Sequence, residues 1–222
     1  FMAADFFQKE YWERETLKKR RSPRHPLICS YVVPRINLLR RYLDINKNTS
    51  LLDVGCGNGF FTYYFDQICN VYGVDYSEQL IRANPVENKA VMNANNLKFA
   101  DNSFDIVFAN ALLHHVDDID RVLQEMKRVA KRNVVILDAN RNNPILFLFS
   151  LVVREERKAL KFSLAYLKDR ISRQDLRITH SFSYGLLFPN KTPTFFTPLV
   201  KWSNFKHPFG TTNFIISEKH VS

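Results

Sequence analysis

The sequence predicts an α/β fold in which helices flank a mostly parallel sheet. Three observations carry it. Short apolar runs alternate with helical patterns from Ser50 to Asp138, the rhythm of consecutive βαβ units. The first run ends in a glycine-rich turn leading into a helix. The second ends on a lone acid, Asp75, followed by a credible helix cap at Ser77.

In chain order, Leu51–Val54 reads as the first strand, with a helix beyond the glycine turn through about Phe65. Asn70–Val74 is the second strand, and Leu80 and Ile81 mark the buried face of the next helix. Lys89–Met92 gives a weaker third strand and Phe104–Ala109 a strong fourth. Ile119–Ala130 has the amphipathic period of a helix, and Asn133–Leu137 is the fifth strand. Beyond Asp138 the pattern changes. Ile145–Val153 is a dense apolar segment, Arg154–Lys161 is strongly charged, and Leu164–Ser172 reads as a helix. Leu176–Tyr184 and Asn213–Ser217 read as strands around Gly185–Pro208, a stretch rich in Pro, Phe and Thr that is expected to be a long functional loop.

A chain of 222 residues suits one domain with a sizeable core. The expected division is an N-terminal helical cap over 1–45, a ligand-binding core over 46–140, a lid or helical insertion over 141–175, and C-terminal strands and loop over 176–222. The first thirty residues contain no apolar run of the secretory type, and Pro144–Val153 is too short to span a bilayer. Cys29, Cys56 and Cys69 are odd in number and show no metal-binding spacing, which suits reduced thiols and no metal site. A cytoplasmic protein is expected. Charge is unevenly spread: residues 1–50 net +6, residues 51–118 net −6 and residues 119–222 net +10. The basic ends suit solvated surface, or attraction to an anionic substrate, a membrane face or nucleic acid.

The stretch Leu51–Phe61, LLDVGCGNGFF, joins strand, glycine turn and helix. Gly55, Gly57 and Gly59 let the backbone turn tightly and a ligand approach, and the helix start is expected to offer unpaired N–H groups. Asp75, eighteen residues past Gly57, is placed to accept from both ribose hydroxyls of an adenosine. A nicotinamide dinucleotide would set its pyrophosphate beside Asp53, with Phe60 where a third small residue is usual. A carboxylate there repels a pyrophosphate and favours a sulfonium and an ammonium. Charge decides against the dinucleotide.

These residues resemble the class I S-adenosylmethionine-dependent methyltransferases, especially the group that includes the ubiquinone and menaquinone methyltransferases. The resemblance rests on D-x-G-x-G-x-G at Asp53, Gly55, Gly57 and Gly59, on Asp75 in VYGVDYS, and on Leu97, Phe99, Asp101, Ser103, Phe104 and Asp105 in order. It covers roughly residues 45–140 well. It implies a Rossmann-like, seven-stranded, mostly parallel sheet with an N-terminal helical segment and a lid after the fifth strand. It also implies S-adenosylmethionine as cofactor: Asp53, Gly55, Cys56 and Gly57 near the methionine moiety, Asp75 and Tyr76 near ribose and adenine, Asn93 and Ala94 near the adenine, and Asn110 facing the reaction centre. Asn93 departs from the family's usual Asp, and its carbonyl oxygen still accepts from an adenine amino group.

For proton transfer, His114 and His115 are the nearest candidates, although in the resembling family such histidines often order a loop. His25 is a weaker one. The segment Phe6–His25 mixes aromatics with basic residues and is expected to pack as an amphipathic helix or close over the cofactor. Ile145–Val153 and the aromatic loop Phe188–Phe196 favour a small-molecule or lipid-linked acceptor, an anionic one included. Peripheral membrane contact fits the basic ends. The alternatives are an RNA methyltransferase, supported by charge alone because ANALLHH stands where N-P-P-Y would, and a catalytically silent cofactor-binding scaffold.

Overall fold

A computed structural model describes residues 20–187 and 192–219. The expected segment from Phe6 falls mainly outside these residues, as do positions 188–191 of the aromatic loop. The elements run α1 (Pro26–Leu39), β1 (Ser50–Val54), α2 (Thr62–Phe65), β2 (Asn70–Asp75), α3 (Glu78–Ala83), β3 (Lys89–Val91) and β4 (Phe104–Asn110). They continue with α4 (Ile119–Val129), β5 (Ala130–Ala139), α5 (Pro144–Val152), α6 (Leu164–Ser172), β6 (Leu176–Tyr184), α7 (Thr197–Trp202) and β7 (Thr212–Lys219). Short 3₁₀ segments lie at Leu113–His115, Arg154–Lys161 and Thr194–Phe196.

The seven strands form one sheet in the order β3-β2-β1-β4-β5-β7-β6. β1 pairs in parallel with β2 and β4, β2 with β3, and β4 with β5, whereas β7 runs antiparallel to both β5 and β6. The strand order reverses between β1 and β4, so a crevice opens beyond their carboxyl ends. The central strands are buried on both faces, which is why LLDV and VVILD read as continuous apolar runs. Alternate residues supply two cores. Leu51, Phe108, Val135 and Phe214 pack with Ile28 and Val32 of α1 and Phe65 of α2. Leu52, Val107, Ile136 and Ile215 pack with Leu123 and Met126 of α4 and Leu167 of α6.

Several elements differ in extent from the sequence expectation. α2 begins only at Thr62, because positive φ at Gly55, Gly57 and Gly59 prolongs the turn. β5 starts at Ala130, three residues early. Phe104 of β4 pairs with Ala130 across an irregular register, which lets the exposed Lys131 and Arg132 enter the strand. The expected loop Gly185–Pro208 contains α7, and Pro near its start suits a helix N-terminus. Motif residues Leu97 and Phe99 are tied to α4 by Arg128, whose guanidinium donates to both carbonyls, while Glu125 accepts from Leu97 N.

Candidate active site

The carboxyl ends of the parallel strands carry the site. β1 leads into Gly55, β2 ends on Asp75, β4 on Asn110 and β5 on Ala139. Asp75 closes over the glycine turn: Gly57 N donates to its Oδ2 at 2.8 Å and Ser77 N to its Oδ1 at 2.9 Å. The Gly57 N–H is thus already engaged with the expected ribose acid. A Cβ on Gly55 would stand 2.9 Å from the Leu112 side chain, and one on Gly57 would stand 2.8 Å from Arg20 Nη1. Cys56 points inward, within 3.5 Å of Asn84 Nδ2, so it faces the crevice through its backbone.

Two carboxyl groups line the turn, Asp53 buried and Asp75 half-buried. Asp53 is 2% exposed and accepts a 2.7 Å hydrogen bond from the Thr62 hydroxyl. Burial pushes its pKa up to about 7, against the Thr62 bond and with help from the Asp75 charge. Burial also raises Asp75, while the N–H groups of Ser77 and Gly57 and the charge of Arg20 oppose it. The sequence alone treats Asp53 as a fixed negative charge; burial makes it a group that titrates near neutrality. A cation placed beside Asp53 favours its ionised form. S-adenosylmethionine affinity should therefore rise roughly five- to tenfold from about pH 6 to about pH 7.5, with proton release on binding. Calorimetry in buffers of different ionisation enthalpy measures both, and Asp53→Asn should flatten the profile. A flat profile in the unsubstituted protein would separate Asp53 from the donor.

Tyr76 is 45% exposed at the edge of the crevice. Asn93, exposed on the turn after β3, accepts from Asn95 N at 2.9 Å through the oxygen expected to meet an adenine, which leaves that oxygen's second lone pair. Ala94 beside it is half-buried, packed against the second core. Asn110 is half-buried at the tip of β4, and the chain turns sharply after it, with Ala111 at φ 51° and Ala111 N donating to Leu137 O.

The turn brings the two histidines together, with ring centroids 3.9 Å apart. His114 Nδ1 bonds the Asp138 carboxylate, and its Nε2 lies 3.4 Å from Glu156 Oε2. Burial alone would lower its pKa, but Asp138 and Glu156 outweigh that and hold it up at about 10. His115 behaves oppositely: burial, then the charges of His114, Arg20 and Lys158, push it well below the ordinary value. One ring is charged and its neighbour neutral. Ligand atoms of His114, His115 and Glu156 lie within 4.8 Å of one another, a spacing that could hold a metal ion. The proton on His114 and the cations beside His115 oppose one. His25 lies apart from this group, capping α1 through a bond from Leu27 N to its Nδ1. Arg20 belongs to the segment Phe6–His25 expected to close over the cofactor, whereas sequence reading misses Thr62, Asp138 and Glu156 as site residues. Only Asp138 leaves a signal, because it stands near the end of a strand as Asp75 does.

Comparison with known proteins finds methyltransferases that this chain resembles. Residues 52–137 match the model for a methyltransferase domain. A S-adenosylmethionine-dependent methyltransferase from Aquifex aeolicus superposes with a TM-score of 0.63 at 16% identity, over 90% of this chain and all of the other. A Thermotoga maritima protein described as a possible histamine N-methyltransferase gives 0.66 at 17% identity, over 87% and 92%. Residues 52–137 are thus similar to a methyltransferase domain, and they lie on a Rossmann-like sheet.

Among proteins of assigned function, the chain resembles the menaquinone type. The demethylmenaquinone methyltransferase of Geobacillus stearothermophilus is 34% identical over 128 residues, which is 52% of this chain and 54% of that protein. That of Staphylococcus epidermidis is 30% identical over 121 residues, half of each chain. This chain spans about half the length of the curated relatives it matches. The residues present fit S-adenosylmethionine: glycines where a Cβ would collide, and two carboxyl groups suited to a cation.

Proposed function

We propose that this protein transfers a methyl group from S-adenosylmethionine to a small, lipophilic acceptor of quinone type, on the cytoplasmic side of a cell. The observation that carries the donor is the buried Asp53 with the half-buried Asp75 around a glycine turn within the matched domain. Support for the acceptor comes from the demethylmenaquinone methyltransferases to which the chain is similar.

In this reading, Asp75 and Tyr76 hold ribose and adenine, with Asn93 and Ala94 at the adenine edge. Asp53 and the backbone of Gly55, Cys56 and Gly57 hold the methionine end, and Asn110 faces the acceptor. Bound S-adenosylmethionine supplies an electrophilic methyl group on a cationic sulfur. The chain's own contribution is alignment within a dry, anionic crevice, where charge interactions are stronger than in water. His114 and His115 act as ordering groups. A proton held as tightly as that on His114 is not readily exchanged at neutral pH, and His115 is too weak a base for efficient proton abstraction.

Calorimetry with S-adenosylmethionine, its demethylated product and NAD, followed by labelled methyl transfer to a panel of demethylated quinols and RNA, tests the proposal. Binding of the first two ligands and label in an organic-extractable product are expected. Indifference to the donor ends the reading, and label in RNA replaces the acceptor.

A further inference from the structure

α5 has the sequence PILFLFSLV, yet it buries only Leu146 and Ser150. Ile145 is 57% exposed, Leu148 63% and Val152 82%. A helix apolar on all sides normally lies inside a protein or a membrane. This one does neither, and no described helix is long and apolar enough to cross a bilayer. Phe195, Trp202 and Phe209, in the stretch between β6 and β7, are also more than half exposed. Hydrogen bonds tie Phe209 and its neighbours to the start of α5. Asn143, the cap of α5, donates to Phe209 O at 2.8 Å, and Asn140 donates to Pro208 O and Gly210 O at 3.0 and 2.7 Å. α5 leaves from the carboxyl end of β5, and Phe209 leads into the antiparallel β7 at Thr212, which pairs with Ala139. The apolar face therefore lies at the same end of the sheet as Asp75 and Asn110.

We propose that this face docks on a lipid bilayer carrying anionic head groups. Charge argues for that occupant. The stretches 141–154 and 192–210 contain no Asp or Glu, and they carry exposed Arg141, Arg154, Lys201 and Lys206. Apolar and aromatic side chains fringed by cations match the boundary between head groups and acyl chains. A second copy of the chain fits poorly, since a two-fold pairing would set the same cations against one another. Docking here turns the donor crevice toward the bilayer. The inference does not depend on the quinone-type acceptor.

Sedimentation of the full chain with phosphatidylcholine vesicles, with and without phosphatidylglycerol, tests it. The protein should bind the anionic vesicles, and added salt should weaken that binding. Leu148→Ser combined with Trp202→Ala should reduce partitioning tenfold or more. Unchanged melting and S-adenosylmethionine affinity verify that the double variant folds. In a Trp12→Phe background, Trp202 emission should shift to the blue on anionic vesicles. Equal binding to both vesicle types, binding to neither, or full binding by the folded double variant overturns the proposal. So does a dimer in solution that the double variant dissociates, which would assign the face to a second copy. Failure to methylate quinols would leave vesicle binding intact, so the two proposals fail separately.

Discussion

Asp138→Ala is expected to destabilise the protein by about 3–5 kcal/mol, the scale for removing one partner of a buried ion pair. Its carboxylate is the main partner of a fully enclosed imidazolium, and it also accepts from Leu113 N at 2.8 Å and Ala139 N at 2.7 Å. Without it, the 3₁₀ turn Leu113–His115 loses its anchor, and Glu156 alone must compensate His114. The pH dependence has a definite sign. Folding raises the His114 pKa from 6.5 to about 10, so its contribution to stability is fully present below pH 6.5 and lost as pH rises through 10. Urea unfolding at several pH values should show the unsubstituted protein weakening across that window, and Asp138→Ala weakening far less. Equal midpoints at pH 7, or parallel pH profiles, would sink the assignment. Asp138→Asn keeps an acceptor for Leu113 N without the charge, and should fall between the two.

The difference between Asp75 and Asp138 explains how much of the site is legible in the sequence. Asp75 is readable because strand, glycine turn and acid succeed one another within a single local unit, and sequence spacing fixes their contact. β1, β2 and β4 are legible for a related reason, since strands buried on both faces must be apolar throughout. The partnership of His114 with Asp138 and Glu156 joins three separate segments, and nothing in LHHV announces it. Arg35 is the clearest case of what stays hidden. Although charged, it is 1% exposed, with its guanidinium 3.4 Å from the Tyr31 ring centroid and 5.2 Å from that of Tyr184. Its Nη1 donates to Tyr31 O and to Asn204 Oδ1, contacts made only once the C-terminal segment folds back over α1. The exposed apolar face of α5 is hidden in the opposite sense. Its composition suits a buried helix and, somewhat better, a lipophilic lid, and only the fold decides which residues meet solvent.

Asp75→Ala is expected to weaken S-adenosylmethionine binding ten- to a hundredfold, about 1.4–3 kcal/mol, the scale of lost hydrogen bonds to a charged acceptor. The cost to the cofactor-free fold should be smaller. Burial raises the Asp75 pKa, so folding disfavours its ionised form, and removing the charge relieves that penalty. The gain offsets the loss of an acceptor for Gly57 N and Ser77 N. A group that binds strongly while adding little to stability is maintained by its ligand. A purely structural cap would show the reverse: a lower melting temperature and near-normal affinity. The 2′-deoxy form of the cofactor sharpens the test. Loss of that hydroxyl should weaken binding to the unsubstituted protein, and should change little once Asp75 is alanine, because the hydroxyl has already lost its partner. Additive effects of the two changes would place the ribose elsewhere, and the crevice would need a different anchor for the sugar.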